Sequence, residues 1–439
     1  MKVGVPKETA EGERRVGLVP ETVGRLVKNG YEVLIETGAG QDYNLDEDYE
    51  EAGAQMASDA EEVYGQADIV VKVAEPTEDE IGQMHEGQIL ICFLDGSTNP
   101  ELVQQLADAG ITVFSNEYVP RTGAAQSMDA LSSMGSIAGY RCSIIAANTL
   151  GKYIPTLSTA AGTTPAAKAI VLGAAVAGLQ AIATMNRLGA DVYAYDILAE
   201  TKDQVHSLGA TFIDSADLEE EDEEDEEPPL EEQEYEPAAW RKVMEFFGFY
   251  SFVRPPEPEE DPEAYEEDEE EEEQQEGPFP EEKQEEDYKL VREHLQDTDI
   301  IITTAVVPGG PPPTLVTQDM VEEMQPGSVI VDLAGGNCEL TQVGETVEHD
   351  NHVSIVGPDN LPSQLPIHAS QLYARNMQSL IDHIVEDVSE EDADEKDLQV
   401  NLDFEDHIID AMVITHDGEI RYEDIREGLE GATEESEAH

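Results

Sequence analysis

Short apolar stretches alternate with amphipathic stretches along the N-terminal part of the chain, and this alternation predicts strands separated by helices. The segment PETVGRLVKNG predicts a helix that begins at Pro20 and ends at Gly30, two residues that favour those positions. Short apolar runs bounded by turn signals are consistent with buried strands. These runs are MKVGVP, YEVLIETG, ADIVVKVAEP, QILICFL and ITVFSNE. Such alternation is typical of a parallel sheet with crossover helices.

A second series of the same kind follows a helical pattern at residues 130–153. Its predicted strands are AIVLGAAV, DVYAYD, ATFID, TDIIITTAVV, GSVIVDLA and VSIVG. After Pro362, HASQLYARNMQSLIDHIV predicts a long helix, and DLQVNLDFEDHIIDAMVITHDGEI predicts a hairpin that returns to the first domain. We therefore predict an α/β fold of two Rossmann-like domains with parallel sheets and a cofactor in the cleft between them. The predicted domains are 1–128, completed by 366–439, and 129–365.

Residues 215–290 interrupt the second series with an acidic, low-complexity insertion. Glu219–Glu227 and Glu266–Glu273 are unbroken runs of acidic residues, which repel one another and are expected to be disordered. Between them, Trp240–Arg254 contains the only tryptophan and four phenylalanines. Two interpretations stay open for this segment: a short helix that covers apolar surface, or a loop that closes over the cofactor or a partner.

The formal net charge is −76, from 23 basic and 99 acidic residues. This balance argues against a nucleic-acid ligand and against direct binding to an anionic membrane surface, since both need clustered Lys and Arg. Salt at molar concentration shortens the Debye length to about 3 Å and would screen the self-repulsion. We therefore hypothesise a halophilic source with a salt-rich cytoplasm. Full stability of the protein in dilute buffer would contradict this hypothesis.

The chain contains three cysteines, Cys92, Cys142 and Cys338, and no CxxC pair, so neither a disulfide framework nor a zinc site is expected. The N-terminal residues MKVGVPKETA lack the apolar region of a signal peptide. No run of about 20 apolar residues is free of charges and turn signals, so no membrane span is expected. We predict a soluble, intracellular protein.

The segment AIVLGAAVAGLQAIATMNRLGADVYAYD has the order strand, turn, helix and strand. Gly173 and Gly178 occupy the first and last glycines of G-x-G-x-x-G, and Ala175 occupies the middle one. A pyrophosphate would lie on the amides of Val176 and Ala177, where the helix dipole favours an anion. The alternative is a Gly/Ala-rich turn with a purely structural role.

Asp196 ends the second strand, where an acidic residue binds the ribose 2′-hydroxyl and repels a 2′-phosphate. The turn and this acid together predict an NAD(H) site rather than an NADP(H) site. Ile197 and Leu198, which follow the acid, and Val306, in TDIIITTAVV, are predicted to belong to the same site.

Several segments together resemble one protein family: GVPKE, ERRVGLVP, RTGAAQSMDALSSMGSIAGYR, AAGTTPAAKAIVLGAAVAGLQAIATMNRLGA, IITTAVVPG and GGNCE. They are similar to the NAD(H)-binding component of proton-translocating NAD(P) transhydrogenases, which is itself related to alanine dehydrogenase. The resemblance covers residues 1–215 and 290–420. It implies that NADH on this chain passes a hydride to NADP on a separate subunit, and it leaves the stereospecific type of the transfer open.

The resemblance also implies site residues on the nicotinamide side of the cofactor. The family's Arg, Gln, Asp and Ser match Arg121, Gln126, Asp129 and Ser132. They would position the nicotinamide and its ribose without exchanging a proton. This sequence departs from the family in three places: a second Arg of the loop is Ala124, an Arg after the ribose acid is Leu198, and VDLAGGNCE lacks an acid before its two glycines.

Two alternatives remain: an NAD-dependent alanine or other amino-acid dehydrogenase, and a non-catalytic NAD-binding homologue. A dehydrogenase needs a general acid/base and cations for the substrate carboxylate, a role that Arg15 and Lys72 would suit. However, the strand segment ICFLDGSTNP has no histidine. Direct hydride transfer between two nicotinamides needs only close, aligned rings, because no proton moves in that step. We therefore favour the transhydrogenase.

The family further implies a homodimer, a transmembrane subunit that couples the transfer to proton translocation, and an NADP(H)-binding beta subunit. The chain would then be cytoplasmic and peripheral, held on the inner face of the cell membrane by these partners.

Overall fold

The computed structural model describes residues 1–94, 96–214, 289–306, 311–389 and 396–429, which fold into two compact units. Unit 1 contains Met1–Cys142, Val307–Pro311 and Asp359–His439, and unit 2 contains Ser143–Val306 and Pro312–Pro358. The α/β class with two domains is confirmed, whereas the predicted domain limits (1–128 with 366–439, and 129–365) stay predictions. The predicted insertion lies outside the described residues, apart from residues 289 and 290 in a helical segment at 289–295. The Trp240–Arg254 segment lies outside them entirely.

The elements follow the predicted alternation. The strands are β1 (Lys2–Val5), β2 (Glu32–Glu36), β3 (Gln55–Ala57), β4 (Ile69–Val71), β5 (Ile89–Cys92), β6 (Thr112–Ser115), β7 (Leu157–Thr159), β8 (Gly162–Thr164), β9 (Lys168–Leu172), β10 (Asp191–Tyr195), β11 (Thr211–Phe212), β12 (Ile300–Thr303), β13 (Val329–Asp332), β14 (Thr346–Glu348), β15 (Ser354–Val356), β16 (Val385–Asp387), β17 (Leu398–Val400), β18 (Val413–His416) and β19 (Glu419–Ile420). The helices are α1 (Pro20–Lys28), α2 (Asp46–Ala52), α3 (Ala60–Gln66), α4 (Glu78–Ile81), α5 (Pro100–Asp108), α6 (Ala130–Thr149), α7 (Val176–Leu188), α8 (Lys202–Ser207), α9 (Gln318–Glu323), α10 (Pro366–Ile384) and α11 (His407–Met412).

Unit 1 is built on an eight-stranded sheet in the order β19-β18-β6-β5-β4-β1-β2-β3. Strands β1 to β6 are parallel, because a helix between each consecutive pair carries the chain back to the end of the sheet where the next strand starts. Strand β18 joins β6 antiparallel and forms a hairpin with β19. Helix α10 buries one face in the core of this unit.

The long C-terminal hairpin predicted from residues 397–420 is wrong in its first half. Asp406 accepts hydrogen bonds from the amides of Ile408 and Ile409 and so starts α11, where a strand was expected. Strand β17 pairs with β16 instead. Only β18 and β19 form a hairpin, and the predicted return to the first sheet is correct.

Unit 2 is built on a seven-stranded sheet in the order β11-β10-β9-β12-β13-β15-β14, parallel except for β14. The chain moves outward in one direction from β9 and in the other from β12. In open sheets of this kind, ligands bind at the carboxyl ends of the strands where the order reverses. The edge strand β14 was not predicted, and neither was the exposed antiparallel pair β7–β8.

Candidate functional site

The glycine-rich turn joins the end of β9 to the start of α7. Gly173 has a φ of +98°, a left-handed conformation that favours glycine. A Cβ added to Gly178 would lie 1.8 Å from the carbonyl oxygen of Gly173, so the first turn of α7 approaches the strand as closely as backbone allows. Ala175, the N-cap position of α7, is extended and exposed and leaves room for a ligand beside the following amides of Val176 and Ala177.

Two buried polar residues that no sequence motif indicated support this turn, Thr304 directly and Asn337 through the residue that follows Thr304. The Thr304 hydroxyl donates to the Gly173 carbonyl over 3.1 Å. The Asn337 side chain accepts from the Ala305 amide at 3.0 Å and donates to the Ala305 carbonyl at 2.9 Å. Both residues lie more than 100 residues from the glycines along the chain. They come near the turn because Thr304 follows β12 and Asn337 follows β13, and these strands lie side by side with β9 in the sheet. Asn337 belongs to the GGNCE segment, but that segment gives no indication of its role.

The carboxylate of Asp196 lies at the carboxyl end of β10, beside the glycine-rich turn. One oxygen accepts from the Ala174 amide at 2.5 Å, and the other accepts from the Leu198 amide at 2.9 Å. A carboxylate has about four acceptor positions, so it can still accept a hydrogen bond from a ribose hydroxyl. Ile197, Leu198 and Val306 are exposed apolar side chains at the ends of β10 and β12. The apolar side chains suit the adenosine of a dinucleotide.

We expect Asp196→Ala to weaken NADH binding by about tenfold or more, since a hydrogen bond to a charged group contributes about 1.5–3 kcal/mol. A smaller preference for NADH over NADPH is also expected, because the repulsion of the 2′-phosphate is lost. Fluorescence titration of NADH and NADPH in high KCl measures both effects. Asp191→Ala, at the opposite end of β10, is the matched control and should bind NADH normally. Unchanged NADH affinity in Asp196→Ala would remove the cofactor assignment.

The segment VDLAGGNCE forms a closed loop after β13. One oxygen of the buried Asp332 carboxylate accepts from the Thr303 hydroxyl at 2.8 Å and from the Gly335 amide at 3.1 Å. Its other oxygen accepts from the Cys338 amide at 3.0 Å. These bonds give Asp332 a structural role, and the loop is held without the acid that the family pattern has before the glycines.

The loop of residues 121–129, hereafter the Arg121 loop, belongs to unit 1 and ends at the start of α6. The Asp129 carboxylate accepts from the Ser132 amide at 2.7 Å and from its hydroxyl at 2.5 Å, so Asp129 caps the helix. Arg121 and Gln126 are exposed. The Arg121 guanidinium makes no ion pair with any described residue, although the chain is strongly acidic. It is therefore available to a phosphate or to a partner.

The two cations considered for a substrate carboxylate are already paired in unit 1. Arg15 Nη2 lies 2.5 Å from Glu13 Oε2, and both side chains are nearly buried. Burial opposes ionisation of Glu13, but the hydrogen bonds and charge of Arg15 outweigh it and lower the pKa of Glu13 to about 2. This pair contributes stability above the usual glutamate pKa of 4.5, which is lost as the pH falls toward about 2.

Lys72 lies 3.3 Å from a Glu8 oxygen and 3.1 Å from a Glu80 oxygen, and all three side chains are buried. Burial disfavours the charged ammonium, but the two carboxylates outweigh it and raise the pKa of Lys72. Burial also raises the pKa of Glu8, against the charge of Lys72. The ammonium therefore neutralises an internal acidic pair and does not face a solvent-filled site.

The structure thus collects the predicted dinucleotide residues in unit 2 and the Arg121 loop, Arg15 and Lys72 in unit 1. Within the described ranges, no group of three or more His, Cys, Asp or Glu side chains could hold a metal ion. No helix in this part of the chain is long and apolar enough to cross a membrane.

Known protein families and a solved structure match most of this chain. Residues 4–138 match the family model "Alanine dehydrogenase/PNT, N-terminal domain", and residues 142–423 match the corresponding C-terminal domain. The NAD(P) transhydrogenase subunit alpha of Haemophilus influenzae is 39% identical over 95% of this chain and 71% of its own. An NAD(P) transhydrogenase subunit alpha protein of Rhodospirillum rubrum is 40% identical over 96% of this chain and 97% of its own. A solved transhydrogenase structure from Sinorhizobium meliloti has a TM-score of 0.74 at 35% identity, covering 96% of this chain and all of its own.

Alanine dehydrogenases are more distant: the Bacillus subtilis enzyme is 29% identical over 80% of this chain and 74% of its own. Both domain models match in order, and the transhydrogenase subunits align over nearly the whole chain at higher identity. The chain therefore belongs to the alanine dehydrogenase/PNT family, and it is more similar to these alpha subunits of NAD(P) transhydrogenases than to the alanine dehydrogenase of Bacillus subtilis.

Proposed function

We propose that this chain is the NAD(H)-binding subunit of a proton-translocating NAD(P) transhydrogenase. NADH binds to the glycine-rich turn and Asp196 of unit 2, and its hydride passes to NADP on a separate subunit. The observation that supports the proposal is that the two candidate cations for a substrate carboxylate are already paired with acids, Lys72 fully buried and Arg15 nearly buried. Two nicotinamides need alignment only, whereas an amino-acid substrate needs a cation for its carboxylate and a general base.

The test is reconstitution of the purified chain with its NADP-binding partner in high KCl. NADH and an NADP analogue whose reduced form absorbs apart from NADH are supplied, and hydride transfer is followed by absorbance. Transfer that requires both subunits supports the proposal. Alanine-dependent reduction of NAD by this chain alone, without transfer to the NADP analogue, would assign it to the dehydrogenases. Binding of NADH without either reaction would assign it to non-catalytic homologues.

In the Arg121 loop, we propose that Gln126 hydrogen-bonds near the nicotinamide and its ribose, while Arg121, Asp129 and Ser132 orient that end of the cofactor. The exposed guanidinium of Arg121 and the Asp129–Ser132 cap support these roles. A loop that only positions the ring needs no titratable group near neutral pH.

We therefore expect Gln126→Asn to slow hydride transfer by about tenfold or more while NADH affinity changes less than about threefold, because a misplaced group of this kind acts on alignment rather than on binding. Single-turnover transfer and NADH titration separate the two quantities. Gln105→Asn, at an exposed position of α5, is the matched control and should change neither. Equal losses in rate and affinity would make the loop a plain binding element.

We also propose that the chain works with a transmembrane subunit and an NADP(H)-binding beta subunit, on the cytoplasmic face of the membrane. Proton translocation would belong to the transmembrane subunit. Membranes that contain that subunit should retain the chain after washing in high KCl, and membranes without it should not. Retention on both would contradict anchoring through this partner.

A homodimer is the fourth part of the proposal. Residues 156–165 are all exposed, although they contain the paired strands β7 and β8, and Tyr153 beside them is 55% exposed. An isolated two-stranded hairpin is at best marginally stable in water. We therefore propose that a second copy of the chain packs on the β7–β8 hairpin. Analytical ultracentrifugation in high KCl should find a dimer, and deletion of residues 157–164 should yield monomers. A monomeric full-length chain would contradict the dimer.

A further inference from the structure

The Arg121 loop is fixed to two helices that lie much later in the chain, α10 and α11. Near the end of the loop, Gln126–Met128 forms a single turn of 3-10 helix, and the loop's buried side chains, Ala125 and Met128, belong to the core of unit 1. Hydrophobic packing of this kind holds the loop against the core but does not orient its peptide planes. Polar contacts must set the orientation of the exposed Arg121 and Gln126 side chains.

The first polar contact comes from α10. Asn376 Nδ2 donates a hydrogen bond of 2.9 Å to the carbonyl oxygen of Ser127, in the middle of the 3-10 turn. Asn376 is 7% exposed and lies between Tyr373 and Met377 on a buried helix face, so its position is fixed by the core. The bond sets the plane of the peptide between Ser127 and Met128, directly after Gln126.

The side-chain amide of Asn376 contributes little to the stability of the fold. Its Oδ1 atom is buried and has no hydrogen-bond partner among the described residues. The desolvation penalty of a buried unsatisfied acceptor is at least as large as the net contribution of the single hydrogen bond that Nδ2 donates. The amide is therefore close to neutral for stability, while its geometric effect on the loop is large.

The second contact comes from α11. His407 Nε2 lies 3.2 Å from the Thr122 hydroxyl, next to Arg121. His407 is the first residue of α11, and Asp406 caps that helix, so the imidazole projects from a fixed helix start. The contact of the buried Asn376 thus holds the loop beside Gln126, and the contact between the exposed side chains of His407 and Thr122 adds a weaker one beside Arg121.

We propose that Asn376 and His407 are positioning residues for hydride transfer, because they orient the Arg121 loop that presents Gln126 and Arg121 to the nicotinamide. The inference rests on the proposed function and adds to it two residues outside the loop. Neither touches the cofactor, and neither exchanges a proton.

The test compares Asn376→Leu with Gln88→Leu in the reconstituted transfer assay. Gln88 is a matched control in the same unit: its buried side-chain amide donates to the carbonyls of Tyr64 and Ala67 at 2.8 and 2.6 Å, and its Oε1 also lacks a partner among the described residues. It precedes β5, at the opposite edge of the sheet from the loop that follows β6. Gln88→Leu loses two hydrogen bonds and Asn376→Leu loses one, so Gln88→Leu should have the lower melting temperature.

We expect Asn376→Leu to slow transfer by about tenfold to a hundredfold with NADH affinity within about threefold of wild type, since small misplacements cost this much in rate. Gln88→Leu should transfer hydride at a normal rate despite its lower melting temperature. Hydrogen exchange of residues 121–129 should rise in Asn376→Leu and not in Gln88→Leu. Thr122→Val, which keeps the volume and removes the hydroxyl facing His407, should slow transfer by a few-fold and raise the same exchange.

Rate losses that follow melting temperature in both leucine variants would overturn the proposal, as would unchanged exchange and rate in Asn376→Leu. These results are distinct from failure of the proposed function, in which wild type itself transfers no hydride. The hydrogen-exchange measurement tests the loop contacts whatever the reaction is.

Discussion

Gly178→Ala should remove NADH binding, with an affinity at least about a hundredfold weaker than wild type. The new methyl carbon would lie 1.8 Å from the Gly173 carbonyl oxygen and 2.8 Å from its carbon. Both contacts are with backbone, so no side chain can rotate away. The start of α7 must move outward from β9, and the amides of Val176 and Ala177 then no longer point at a pyrophosphate.

Fluorescence titration of NADH measures the loss, and the melting temperature of unit 2 should fall as well, because overpacking costs about 1–3 kcal/mol or more. Gly151→Ala is the matched control within unit 2, since a Cβ at Gly151 meets no described atom within 4 Å. It should bind NADH normally. Normal affinity in Gly178→Ala would mean that the dinucleotide binds elsewhere.

Lys72→Met should destabilise unit 1 by about 3–5 kcal/mol, because removing one partner of a buried ion pair leaves uncompensated charge. The substitution leaves Glu8 and Glu80 buried beside one another without their shared cation. The mutual repulsion of the two carboxylates and the cost of their burial are then no longer offset. At least one of the two carboxylates must therefore bind a proton. Calorimetric unfolding at constant high KCl measures the loss.

Arg25→Met is the control, because Arg25 and Glu21 are about half exposed and an exposed pair contributes about 0–1 kcal/mol. The double variant Lys72→Met with Glu8→Gln should recover some of the stability, since one of the two stranded carboxylates is then neutral. A loss as small as that of Arg25→Met would show that water reaches this cluster. In that case Lys72 would again be a possible ligand for a substrate carboxylate, and the dehydrogenase interpretation would gain support.

Backbone conformation and the order of neighbouring elements explain why some candidate site residues can be identified from the sequence. The turn at Gly173 requires a left-handed residue, and Gly178 must lack a side chain, so spacing alone identifies both positions. Asp196 can be identified because it ends the strand after the first crossover helix. The helix α11 was missed because its six residues contain the apolar pairs of a strand, and the capping carboxylate of Asp406 decided between the two.

The sequence by itself determined the alternation of strands and helices and the glycine-rich turn, because each depends on neighbours within about thirty residues. It also indicated the family, through segments that resemble it along most of the chain. Only the tertiary structure decided which charges are neutralised. Arg121 has no ion-pair partner among the described residues, while Arg15 and Lys72 are neutralised by acids that the fold brings to them. It also decided what holds the Arg121 loop: Asn376 is 249 residues from Ser127, and His407 is 285 residues from Thr122. Contacts over such separations depend on how sheet and helices pack, and no local pattern records them.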